Sequence, residues 1–368
     1  MSPHGATTAS PLRALLVGAG HTHLHVVDRA DALRAAGVEV TLLAPHDFHY
    51  SGLASATATG ALPADAGRID VAALAARRGV PHVVARMVAH DLDAHTVRTD
   101  DGIDVPYDAV SFNLGSAVAT DGMLVDDGVI MVKPLERLAP LTAWLDAPSP
   151  AHGARITVVG GGPTGLELAG HLAARRCDDA VVRVADRDER PGRSLPPGAR
   201  RRVVRRLAER GVVFHAGQPV LQVHHDHAVI GGRRLDHDLA VIATGLSAPP
   251  IVVDAGLGDH RGIPVRATLQ HIDHDDVYAV GDCARFTPRE LPKLGVHGVR
   301  QGPVLVASLL ARVAGATLPT YDPQTLALRI LDLGGGTAVA MRGRWWVEGR
   351  AALALKRAID DRWLAHYR

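Results

Sequence analysis

Gly160, Gly162 and Gly165 stand in GxGxxG spacing within Arg155 to Gly170, RITVVGGGPTGLELAG. That spacing serves to hold a pyrophosphate. The first glycine makes the tight strand-to-helix turn, the second lets backbone N–H groups reach the phosphates, and the third lets helix and strand pack closely. Thr164 lies in the same loop, and the helix that follows presents its positive dipole end. Asp186 closes the next apolar run, VVRVAD, where a carboxylate would hold a ribose hydroxyl. It accepts a 2′-hydroxyl and repels a 2′-phosphate, which favours NADH, while Arg187 and Arg190 beside it soften that preference. A second, earlier copy runs from Leu15 to His21, LLVGAGH, with Gly18 and Gly20 in place but His23 where the third glycine belongs. Two nucleotide-binding units point to two nucleotide cofactors, and the chemistry that uses both is hydride transfer between a nicotinamide and a flavin.

Other residues are placed to complete such a site. Gly115 ends the buried run YDAVSFNLGS, Gly245 ends VIATG, and Gly281 with Asp282 ends VYAVGDC. A carboxylate at that strand end can accept a bond from a ribityl hydroxyl. The strand Val38 to Leu43 ends at Ala44 and Pro45, where a dinucleotide fold normally carries an acid. The loop His46 to Leu53, HDFHYSGL, offers aromatic groups as a wall for a flavin. Lys293, His297, Arg300 and Gln301 accompany a loop that becomes a helix, whose N-terminus would face the flavin pyrimidine ring. Lys293 and His297 are candidates for stabilising reduced flavin or giving a proton to the acceptor. His21 and His25 are expected to begin the helix and flank the first cofactor loop. The His23 side chain would either hold the helix off the strand or turn toward the ligand, and His21 and His23 are candidate cofactor contacts. With His25 they suggest zinc, but no nearby acid or cysteine completes a tetrahedral set, so no metal is expected.

The elements that must position these residues follow from patterning. Apolar β-branched runs at Leu12–Val17, Val38–Leu43, Ile156–Val159 and Leu239–Gly245 read as buried strands. Residues 81–104 and 212–238 alternate like meanders, with a hairpin turn at Gly231–Gly232. The helix from Pro197 to Arg210 carries Arg200, Arg201, Arg202, Arg205 and Arg206, expected as a solvated basic face. The cluster Pro148–Pro150 and Gly153 mark a boundary. These assignments give an α/β chain of two dinucleotide-binding, Rossmann-like domains.

The chain has 368 residues, 47% hydrophobic and 21% charged, as expected for a folded chain of two domains. A net charge of +1 and 4% aromatic residues leave no nucleic-acid footprint. No apolar run approaches a membrane span and the N-terminus has no signal-peptide pattern, so a cytoplasmic place is expected. The two cysteines, Cys177 and Cys283, are far apart, so no local dithiol centre is encoded.

From Thr320 onward the chain looks separate. Leu326–Leu333 and Thr337–Arg342 suggest a hairpin, followed by Trp345, Trp346 and a helix from about Arg350. Leu355, Ile359, Trp363 and Tyr367 recur at four-residue spacing and are expected on one face. One reading is peripheral contact with the inner face of a membrane, with Lys356, Arg357 and Arg362 outward. The other, favoured by the narrowness of the face, is a helix docked on its own body or in a homodimer.

The order GAGH, VTLLAPHDFHYSGL, YDAVSFNLGS, VVGGGPTGLELAG, VIATG, VYAVGDCA and GVHGVRQGP resembles the flavoprotein pyridine-nucleotide oxidoreductases, over nearly the whole chain. The closest branch is the type II NADH dehydrogenase-like group, including the flavoprotein module fused to selenide–water dikinase in some proteins. The resemblance implies a glutathione-reductase-type fold. Residues 1–125 and 246–316 would form an FAD-binding domain, residues 126–245 an inserted NAD(P)H-binding domain, and residues 317–368 a small hairpin–helix interface region. It implies FAD and NAD(P)H as cofactors, Glu167 near the nicotinamide, Asp282 on the flavin, and Gln301 at the end of a quinone-side motif. That motif here reads VHGVRQ rather than its usual glutamine- and alanine-rich form. The cysteine count argues against a disulfide reductase or a sulfide:quinone oxidoreductase. The expected activity is hydride transfer from NAD(P)H to flavin and onward to a quinone-like small acceptor. Rival expectations are a soluble flavin reductase for a protein partner or specialised metabolite, and a non-enzymatic NADH-sensing flavoprotein.

Overall fold

The computed structural model describes residues 10–120, 122–148, 153–175 and 180–368; Cys177 lies outside them. The buried apolar runs form two five-stranded parallel sheets. In the first, the order across the sheet is Val277–Ala279, Ala109–Phe112, Leu12–Val17, Val38–Leu43, His82–Val83. In the second it is Ile130–Met131, Leu239–Ile242, Ala154–Val159, Ala180–Asp186, Val213–Ala216. Each sheet therefore has its glycine-loop strand at the centre, where parallel strands are covered on both faces and read as unbroken hydrophobic runs. The chain is α/β with two Rossmann-like halves, as expected.

Each half has its own core. Leu15, Leu24, Leu42, Phe112 and Tyr278 are buried in one, joined by Leu305 and Leu364 from late in the chain. Ile156, Leu166, Val184, Leu207 and Val241 are buried in the other. The halves meet through a short antiparallel crossing, Ala117–Val118 on Leu246–Ser247. Antiparallel meanders decorate both, at residues 87–106 and 220–236. The second turns at Gly231 and Gly232, both at positive φ (55° and 78°), the conformation that a two-residue hairpin turn requires.

The C-terminal region departs from the expected hairpin. Arg329–Asp332, Ala338–Arg342 and Trp345–Gly349 form a three-stranded antiparallel sheet, and the helix Arg350–Tyr367 follows. Trp345 and Trp346 belong to the third strand, which a tryptophan pair with no clean alternation did not announce. The helix lies on the body of the chain, but not through the expected face. Ala352, Leu353, Lys356, Asp360, Leu364 and Tyr367 are buried, while Leu355 and Ile359 are 46% and 43% exposed. Four-residue steps overshoot the 3.6-residue turn, so the row 355–359–363–367 drifts around the helix. Only its second half points inward.

The basic helix is also less solvated than expected. Arg202 and Arg206 (3.1 Å) clasp the mostly covered side chain of Glu348 in the third strand, tying the C-terminal sheet to the second half. The helix Arg350–Tyr367 is tied to the first half. Lys356 Nζ donates to Gly52 O (2.5 Å) and pairs with Asp360 (2.6 Å), and Tyr50 donates to Asp360 (2.9 Å). Among the described residues no helix is long and apolar enough to cross a membrane.

Candidate functional site

The second glycine loop borders a cavity of about 510 Å³. The strand Ala154–Val159 ends at Gly160, at φ 111°, and the helix Pro163–Arg175 begins three residues on. A Cβ at Gly160 would strike the backbone at Ala243–Thr244, and one at Gly165 would strike the Gly160 carbonyl, so both positions require glycine. At Gly162 and Gly245 a Cβ would meet nothing within 4 Å; both line the open cavity with Thr164. Asp186 sits at the strand end, its carboxylate accepting from the Asp188 N–H at 3.1 Å and crowding Gly161. Burial raises its pKa, against backbone hydrogen bonds that favour the charge. The lining includes Asp186 and Arg187 and, from the other half, Lys293 and Leu294.

The first glycine loop is built differently. Gly18, at φ 90°, packs against the Asn113 carbonyl, and Gly20 against the Asn113 side chain. The helix His21–Asp28 carries no side-chain cap, so the N–H groups of its first turn are available to an anion. Asn113 Nδ2 is a buried donor with no partner, and Gly115, at φ 72°, borders open space. An unsatisfied donor, an uncapped helix start and open glycine space fit the phosphate and polar groups of a bound nucleotide. His23 does not contribute to that cradle. It is fully buried, with Nδ1 on Gly18 O (2.5 Å) and Nε2 on Ser111 Oγ (2.9 Å), so both ring nitrogens are committed within the protein. Ala44 is fully buried; its N–H bonds Val83 O (3.1 Å) and its carbonyl accepts from His82 Nε2 (3.0 Å). Pro45 follows it at the strand end.

Glu167 lies where the halves meet. It lines a small cavity of about 90 Å³ with Ser51, Ser55, Lys133 and Thr164. Its Oε1 accepts the Asp332 N–H at 2.9 Å, and burial raises its pKa. Sequence reasoning missed this support from the C-terminal sheet, since nothing local marks Asp332, 165 residues away. It also missed Lys133, whose one visible signal is a lysine interrupting the apolar run VIMVKPL.

The GDC turn and the last long helix, Gly295–Ala314, brace one another. Gln301, almost fully buried, accepts the Gly281 N–H on Oε1 at 2.7 Å. Asp282 accepts from Ser116 Oγ at 3.0 Å. Lys293 Nζ donates to the carbonyls of Arg261 (3.1 Å) and Asp282, so its ammonium is spent on shaping the turn, although it also lines the large cavity. His297 is buried with Nδ1 on Tyr321 Oη at 2.8 Å. The structure therefore gives Lys293, His297 and Gln301 bracing contacts rather than free functional groups. Cys283 is buried and its thiol pKa is pushed up to about 11 by burial, which leaves it inert.

His21 occupies the other approach. Its ring packs against Phe48 (centroids 5.2 Å), Tyr50 (5.7 Å) and Trp363 (4.8 Å). The C-terminal helix thus walls the start of the first cofactor helix. A further cavity of about 310 Å³ opens between Leu53–Leu62, His171, Gly334–Gly336 and Lys356. Among the described residues no group of three or more His, Cys, Asp or Glu is arranged to hold a metal ion.

The family described as Pyridine nucleotide-disulphide oxidoreductase matches residues 12–302. The Type II NADH:quinone oxidoreductase of Staphylococcus haemolyticus is 24% identical over 388 residues, covering 95% of this chain and 94% of that protein. The ferredoxin–NAD(+) reductase component of the Burkholderia cepacia anthranilate 1,2-dioxygenase system is 29% identical over 357 residues, covering 89% and 84%. NDH2 of Plasmodium falciparum, solved in complex with NADH, superposes with a TM-score of 0.83 at 12% identity, covering 97% of this chain and 96% of that one. At that identity the likeness shows the fold.

Proposed function

The chain belongs to the pyridine nucleotide-disulphide oxidoreductase family, and on that premise we propose that it is an FAD-dependent NADH oxidoreductase passing electrons to a quinone-like small acceptor. FAD and NADH are its cofactors. One observation carries the reading: the 510 Å³ cavity is lined by Asp186, suited to a ribose, by the second glycine loop and by Lys293 and Leu294 of the other half. A dinucleotide held by these residues would place its nicotinamide near the joint between the halves, where Glu167 and Lys133 line the small cavity.

When bound, the flavin supplies the two-electron chemistry, taking hydride from NADH and returning electrons to the acceptor. The residues around it position and exclude water. Gly160, Gly162 and Thr164 hold the NADH pyrophosphate, Asp186 the adenosine ribose, and Gly18, Gly20 and Asp282 the FAD. Glu167 sets the nicotinamide geometry from the small cavity. The 310 Å³ cavity beside Leu53–Leu62 is the entry we assign to the acceptor. The 29% identity to a ferredoxin–NAD(+) reductase component favours one rival, transfer to a protein acceptor.

The test is the visible spectrum of the purified protein, with NADH and NADPH added without oxygen. A yellow protein that bleaches faster with NADH is expected, and ubiquinone or menaquinone analogues should restore the colour faster than an added ferredoxin. A colourless protein, or one that neither nucleotide bleaches, removes the reading. Glu167→Ala should slow flavin reduction by about tenfold, ~1.4 kcal/mol in the barrier; an unchanged rate removes that role.

A further inference from the structure

Two ionisable side chains near the domain joint have no hydrogen-bond or ion-pair partner among the described residues: His21 and Lys133. They come from opposite halves. His21 opens the helix His21–Asp28, and Lys133 follows the strand Ile130–Met131. Gly295 links their surroundings. A Cβ there would lie 3.5 Å from the His21 ring and 4.0 Å from Ser51 Oγ, and Ser51 lines the small cavity with Lys133 and Glu167. Gly295 also begins the long helix Gly295–Ala314, which carries no side-chain N-cap, so its positive end points to the same region. Asp282 acts electrostatically on both His21 and Lys133, but its carboxylate is already bonded to Ser116. Burial keeps the imidazole neutral down to about pH 4, so it offers one N–H; burial also lowers the Lys133 pKa, while the nearby Asp282 and Glu136 favour its charged form. The Lys133 amino group, the His21 N–H and an uncapped helix start, linked through Gly295 and Ser51, together favour negative charge in this region.

We infer that His21 and Lys133 are paired donors to the bound flavin, one from each half, that hold the negative charge hydride delivery leaves on its ring. The inference rests on the proposed FAD and NADH reading. The balance is simple: NADH gives up a hydride and leaves as NAD+, and the ring system gains two electrons and one proton, hence one negative charge. Both residues act by positioning and charge, and neither forms or breaks a bond.

The test is the midpoint potential of the flavin in the purified holoprotein and in Lys133→Met, Lys133→Arg and His21→Asn. Lys133→Met should weaken the preference for reduced over oxidised FAD about tenfold, a fall of ~30 mV for a two-electron couple. Lys133→Arg should restore most of it. His21→Asn should cost about threefold, ~14 mV. Affinity for oxidised FAD, read by quenching of tryptophan fluorescence in the apoprotein, should stay within about twofold of wild type. Midpoints unchanged in Lys133→Met and His21→Asn overturn the inference, and so does an equal loss of affinity for both flavin states. Should His21→Asn fail to fold, because its ring packs on Trp363, the lysine pair of variants still decides. A wild-type protein without flavin would sink the parent reading; one that NADH bleaches, with insensitive midpoints, sinks only this inference.

Discussion

The two glycine loops share a plan and differ in what enforces it. In the second, Gly165 must be glycine because a side chain would strike the Gly160 carbonyl. In the first, the equivalent position holds His23, whose ring bonds Gly18 O and Ser111 Oγ. The second strand of one half ends in Asp186 beside an open cavity, and that of the other ends in Ala44, fully buried. The second loop is therefore a ligand cradle held by steric necessity. The first is held partly by side-chain hydrogen bonds and by the C-terminal helix laid across its approach. The same backbone shape can be specified by removing atoms or by adding bonded ones, and the choice decides what each loop can tolerate.

Substitutions can break or sharpen that contrast. The largest expected effect is Gly165→Ala, which should cost about 3–4 kcal/mol of stability by forcing helix and strand apart. It should also abolish bleaching by NADH, and urea unfolding with anaerobic spectra checks both. His23→Ala removes two buried bonds and leaves Ser111 and Gly18 unpaired, for about 2–3 kcal/mol. If it proved as tolerant as a surface change, the bonded account of the first loop would be wrong. Asp186→Asn should weaken NADH about tenfold, ~1.4 kcal/mol, while leaving FAD in place. Equal loss of both cofactors would erase the distinction between the loops.

The smallest effect is on pH dependence. Burial lowers the His23 pKa from 6.5 to about 4. A depressed folded-state pKa means the stability is present above pH 6.5 and is lost as pH falls toward 4, because the unfolded chain takes up the proton first. Between pH 6 and 5 that single proton is worth about 1 kcal/mol, and His23→Ala should remove it from the pH profile of the urea midpoint. His21 and His90, also lowered to about 4, retain their own slopes.

Both parallel sheets, both glycine turns, the Gly231–Gly232 hairpin and the helix from Arg350 are legible in the sequence, because each rests on local rules: apolar runs, glycine turns and helical periodicity. So is Asp186, since a strand end fixes where its side chain emerges. The rest was decided by contacts between distant residues. Nothing near Glu167 announces the Asp332 N–H that holds it, and nothing near His21 announces Trp363. Lys293, His297 and Gln301 are polar residues in a promising stretch, yet Arg261, Tyr321 and Gly281 claim them. A residue's type and spacing determine which chemistry it can offer. Whether that chemistry is spent inside the protein or left for a ligand depends on which partners the tertiary fold brings within hydrogen-bond reach.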